Sequence, residues 1–113
     1  MTEPSASSAA GYLSLRLSER LRASGFAPDD VEQLRHSDFS AGQSEHDQAW
    51  ARHNERVHVG IVVLSPQMGF SRALALATQD WRDLLVASGL ANGDWPSRVE
   101  AWFADPHPVP AQP

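Results

Sequence analysis

The sequence predicts a mainly α-helical domain, a small bundle of four to five helices built from two helix-turn-helix halves. Three observations carry that reading. Leu13, Leu17 and Leu21 recur four apart, and Leu74, Ala77, Trp81, Leu84 and Leu85 form a second stripe at helical spacing. The segment Leu21-Arg22-Ala23-Ser24-Gly25-Phe26-Ala27 returns near the other end as Leu85-Val86-Ala87-Ser88-Gly89-Leu90-Ala91. In each copy the glycine suits the left-handed position just past a helix, and the apolar residue after it folds back on the leucine five positions earlier.

The elements follow in order. A first helix is predicted over residues 9–24, ending at Gly25. Pro28 suits the first turn of a second, short helix, Asp29 and Asp30 suit the positive end of its dipole, and Val31 with Leu34 forms its buried edge. A third helix is predicted from Ser44, whose hydroxyl can cap the amide of Asp47. It places His46, Trp50, His53 and Val57 on one side.

Residues 57–64 are open between two states. Val57, Val59, Ile61 and Val63 alternate as in a strand, while Ile61 and Leu64 continue the helix, at a cost of about 1 kcal/mol for Gly60 relative to alanine. A strand here has no partner elsewhere in the chain and would pair with its own copy, making a dimer. Beyond Ser65-Pro66 a long helix is predicted over 71–88. Asp94 is predicted to cap a last helix, with Pro96 early in it and Val99, Trp102 and Phe103 facing inward. The packed domain is thus 9–104, flanked by a small-residue tail at 1–8 and a proline-rich tail at 105–113, both expected to be disordered.

Composition narrows the chemistry. The 113 residues contain no cysteine, which removes disulfides, thiol nucleophiles and thiolate metal sites. All nine basic residues are arginine, so no side-chain amine is available for Schiff-base chemistry. Sixteen alanines and no lysine suggest a GC-rich bacterial genome. The net charge of −5 makes an acidic protein and opposes the electrostatic attraction behind nucleic-acid binding. Six carboxylates between residues 29 and 47 read as the wet side of helices. With neither a secretory leader pattern nor a membrane-spanning stretch, a cytoplasmic location and no membrane partner are expected.

No nucleophile elbow, phosphate loop, dinucleotide fingerprint or calcium loop occurs. The five histidines lack the spacing of three or four that brings two helical ligands to one ion, and His46 and His53 lie about 10 Å apart along a helix axis. No cofactor, catalytic residue or metal is therefore expected. The leading functional reading is a protein–protein interaction module, adaptor or regulatory, that binds a protein partner or itself as a homodimer. Its contact surface is drawn from Val57, Val59, Ile61, Met68, Phe70 and Trp95, because Val57 to Phe70 is more apolar than one small core readily absorbs. The alternatives are a metal-binding protein or small enzyme built on His46, His53 and His58 with neighbouring carboxylates, and a small-ligand pocket lined by Trp50 and Trp81.

Overall fold

The computed structural model of the chain describes residues 11–39 and 48–105, the side chains of residues 48–50 excepted. Among these residues there are six helices and no strand: α1 (Leu15–Ala23), α2 (Pro28–Arg35), α3 (Gln48–Met68), α4 (Phe70–Gln79), α5 (Trp81–Ser88) and α6 (Trp95–Ala104). The mainly helical expectation is met, with one more helix than the sequence indicated. The Ser44 cap, His46, the side chain of Trp50 and both tails except Asp105 lie outside the described residues.

The repeated seven-residue segment is a helix stop in both copies. Gly25 and Gly89 have φ of 78° and 82°. The amides of Phe26 and Leu90 donate to the carbonyls of Leu21 and Leu85 at 3.0 and 2.9 Å, and the glycine amides donate to Arg22 and Val86. These paired bonds satisfy carbonyls left over at the helix end, and the returning Phe26 and Leu90 are both buried. Helix α1 starts later than predicted because Ser14 accepts from the amide of Leu17 and caps it. Gly11 ahead of it has φ of 56°, and a Cβ there would collide with the Arg35 carbonyl that receives the amide of Tyr12.

Residues 57–64 are helical, the middle of the 21-residue α3. The strand alternative, and the dimer pairing it implied, therefore has no basis in the folded chain. Residues Val57, Val59, Ile61, Val62 and Leu64 are all buried, so more than one side of the helix meets apolar neighbours. That is why the pattern alternated: a helix enclosed on several sides shows no single stripe. Helix α3 packs along α4 and α5 and touches α6. Pro66, expected to open a helix, lies exposed inside the last turn of α3.

The predicted 71–88 helix is two helices. Asp80 is extended, with φ of −159° and ψ of 98°, and its carboxylate accepts from the amide of Arg82, so it caps α5. Gly69, with φ of 88°, makes the corner between α3 and α4. Asp94 precedes α6 without a side-chain cap bond and accepts from Arg98 instead. No described helix is long and apolar enough to cross a membrane.

Candidate functional site

The folded chain disperses the contact surface read from the sequence. Val57, Val59 and Ile61 are 0% exposed and Phe70 is 5% exposed, all within the core. Met68 and Trp95 are half-buried against that core. Trp95 carries the Arg56 guanidinium over its ring at 4.5 Å, and Arg56 also donates to the Leu90 carbonyl, so this indole joins α6 to α3. The apolar surplus in 57–70 is absorbed because α4 and α5 pack along α3, Leu90 is tied to it through Arg56, and Phe26 closes on Phe70.

The histidines are brought together, but as fasteners. On α3, His53 Nε2 donates to the Phe39 carbonyl at 3.1 Å and His58 Nε2 to the Ser37 carbonyl at 2.8 Å. Asn54 between them accepts from the Phe39 amide at 2.6 Å and donates to Asp38 at 3.1 Å. His53 also stands edge-on to Trp81 at 4.4 Å, and His58 to Phe39. Burial pushes the His58 imidazole down to about 4, and burial likewise lowers His53, so both are neutral at pH 7. With each Nε2 engaged by a carbonyl, neither ring offers that nitrogen to an ion. Among the described residues no group of three or more histidine or carboxylate side chains is placed to hold a metal.

A second polar cluster went unseen in the sequence. Arg16 on α1 grips Glu55 on α3 with two bonds of 2.8 and 2.7 Å and reaches Glu100 on α6 with two more. Ser14 adds a 2.6 Å bond to Glu55. Burial alone would raise the Glu55 carboxyl, but the bonds from Arg16 and Ser14 outweigh it and hold the group below the usual carboxylate range. The Arg16 guanidinium also lies 4.0 Å over Phe103, and Arg20 lies over Trp102 while donating to the Phe103 and Asp105 carbonyls. Arg16 is 39 positions from Glu55 and 84 from Glu100, so spacing within one helix gives no sign of the cluster. Both Glu55 oxygens are occupied, which suits a cross-tie rather than proton transfer.

A surface depression with room for a ligand group lies at the α1–α2 turn. Here Arg22, Gly25, Phe26, Pro28, Val31 and Glu32 enclose a notch of about 560 Å³. Its floor is apolar. Phe26 is held by the Gly25 cap and backed edge-on by Phe70 at 5.8 Å, while Val31 is half-buried beside it. Glu32 on the rim is fixed by Arg35 at 2.5 Å and His36 at 2.9 Å. The sequence signals were present in Gly25-Phe26 and Val31, but they read equally as helix stop and short core edge. A smaller polar depression of about 290 Å³ lies between residues 36–39 and Thr78.

Among the described residues the fold is an all-α domain that carries an apolar notch and polar cross-ties between helices. Comparison with known protein families, characterised proteins and solved structures finds no match to this chain.

Proposed function

We propose that the chain is a protein–protein interaction module and that the notch at the α1–α2 turn receives an apolar anchor of its partner. The observation that carries this reading is the notch itself, where half-buried Val31 lies beside a buried Phe26 that the glycine cap and Phe70 hold in place. Rigid apolar depressions of this kind suit one or two anchoring side chains, which supply most of the binding energy in such contacts. The net charge of −5 favours a partner whose anchor is flanked by arginine or lysine. Adaptor or regulatory work in the cytoplasm fits this reading.

Self-association is the second reading, now through surface other than Val57–Phe70. Leu15 and Val86, large apolar side chains that remain 69% exposed, are the residues such a contact would use. The metal or enzyme reading on His46, His53 and His58 gains no supporting observation.

Selection of a random peptide display library on the immobilised full chain tests the notch. Enriched peptides are expected to share a leucine or aromatic anchor beside basic residues and to shift the amide resonances of Gly25, Phe26 and Val31. Val31→Asp should weaken them about 30-fold, as loss of an anchor contact near 2 kcal/mol implies. Peptides that bind Val31→Asp as well as the native chain, or shift resonances elsewhere, would refute the notch. Sedimentation of the free chain separates the dimer reading, since it asks for a second copy and no peptide.

A further inference from the structure

We propose that residues 36–39 form an acid-releasable strap, which lifts from α3 on acidification while the helices stay folded. The geometry supports this in three ways. The strap is fastened to α3 by side chains, through His53, Asn54 and His58, and two of these three fasteners are imidazoles. The strap is neither helix nor strand; the amides of His36 and Ser37 tie its start to the carbonyls of Gln33 and Leu34 at the end of α2, which serves as the hinge, and lifting Asp38 and Phe39 about it breaks no helical ladder. Finally, His58 is 0% exposed, and its Nδ1 is buried with no hydrogen-bond partner. As a neutral ring with Nε2–H aimed at Ser37, it leaves Nδ1 as a bare acceptor. A proton added there becomes a buried donor facing nothing, and the cheapest remedy is water admitted by moving the strap.

The charged groups around these rings set the sense of the response. His58 is met by Asp38 from the strap and by Glu55 and His53 from its own helix; the two carboxylates favour its protonation and His53 opposes it. His53 is met by Asp38, which favours its protonation, and by Arg56, which opposes it. Burial outweighs the carboxylates for both. In the strapped state His58 is neutral down to about 4, whereas in the lifted state it meets water and regains its ordinary value near 6.5. The strap is therefore fully fastened above about pH 6.5 and weakens as pH falls towards 4. Below that value both states carry the proton and no further weakening follows. Linkage over this window makes the lifted form about 30-fold more populated at pH 5 than at pH 7.5, with His53 acting in the same direction. Lifting uncovers the Phe39 ring and opens the depression beside Thr78.

Amide hydrogen exchange on the full chain, corrected for intrinsic rates, tests this. The Phe39 amide, bonded to Asn54, should lose about 30-fold of its protection between pH 7.5 and 5 while Val62 and Leu84 keep theirs. His58→Gln, which retains a donor for the Ser37 carbonyl without a titrating ring, should flatten the loss. Unchanged Phe39 protection, or loss in step with Val62 and Leu84, would overturn the strap. Nitrogen-15 titration of the native imidazoles serves where the variant does not fold: His58 is expected to keep its neutral Nε2–H form at pH 5. Titration near 6.5 would overturn the proposal.

Discussion

Replacing Gly60 by leucine is expected to destabilise the domain by about 3 kcal/mol, with a fall in Tm on the order of 10 °C. At Gly60, α3 lies close against α5: a Cβ there would lie 2.9 Å from Ser88 Oγ and 3.0 Å from Leu84 Cδ2. A leucine side chain would have to displace Leu84, itself 0% exposed, and push the two helices apart. Gly60→Ala is a different case. The atoms in its way are the ends of movable side chains, and alanine relieves about 1 kcal/mol of helix cost, so this variant should stay within about 1 kcal/mol of the native chain. Adding Ser88→Ala to Gly60→Ala removes the closest contact and should make the pair more stable than the native protein. Urea unfolding of the three variants checks the order. Equal behaviour of Gly60→Leu and Gly60→Ala would mean that the two helices do not meet at this point.

Arg16→Ala is expected to cost about 2 kcal/mol at neutral pH, because it leaves the buried Glu55 carboxylate with Ser14 alone. The stronger expectation concerns the sign of the pH dependence. In the native chain Glu55 is held below its ordinary value, so its contribution is present above the ordinary carboxylate range and is lost as pH falls through the lowered value. Without Arg16, burial dominates and the same group titrates above its ordinary value. Its penalty is then largest at neutral pH and disappears as pH falls through that raised value. The difference in stability between native and Arg16→Ala proteins should therefore shrink on acidification. Arg16→Ala combined with Glu55→Met removes both charges and should recover most of the loss, since a buried ion pair replaced by apolar groups often costs little. A penalty independent of pH would remove Glu55 as its source.

Much of the fold was legible in short-range pattern. The two glycine stops, the proline start of α2 and the inward faces of Val99 and Trp102 in α6 all depend on neighbours within a few residues, so the local sequence carries them. Three features were not legible in that pattern. Gly60 looked like a flaw in a helix until Leu84 and Ser88 came to lie against it. Asp80 falls on the polar side of a stripe that runs unbroken from Leu74 to Leu85, and only the fold decides whether such an aspartate points outward from one helix or turns to cap the next. The alternation from Val57 to Val63 imitated a strand because α3 is enclosed on several sides.

The candidate sites show the same division. His53 and His58 were singled out as chemically capable, and they are indeed neighbours, but the carbonyls of Phe39 and Ser37 engage them. Arg16, Glu55 and Glu100 form the strongest polar cluster described, yet nothing local ties the three positions together. Phe70, read as a contact residue, lies one layer beneath the surface that replaces it, as the backing of Phe26 in the notch. The difference is one of depth, because apolar content says that a side chain leaves water without saying whether its own chain or another receives it.

The apolar stretch from Val57 to Leu64 is consumed inside a single chain, and the proposed contact surface is the notch instead. Hydrogen exchange of the amides in this stretch, measured at low and at high protein concentration, tests it most directly. Protection at the level of global unfolding, unchanged between the two concentrations, is the expected result. Protection that rises with concentration, or exchange as fast as that of the exposed turn at Asn92-Gly93, would contradict it.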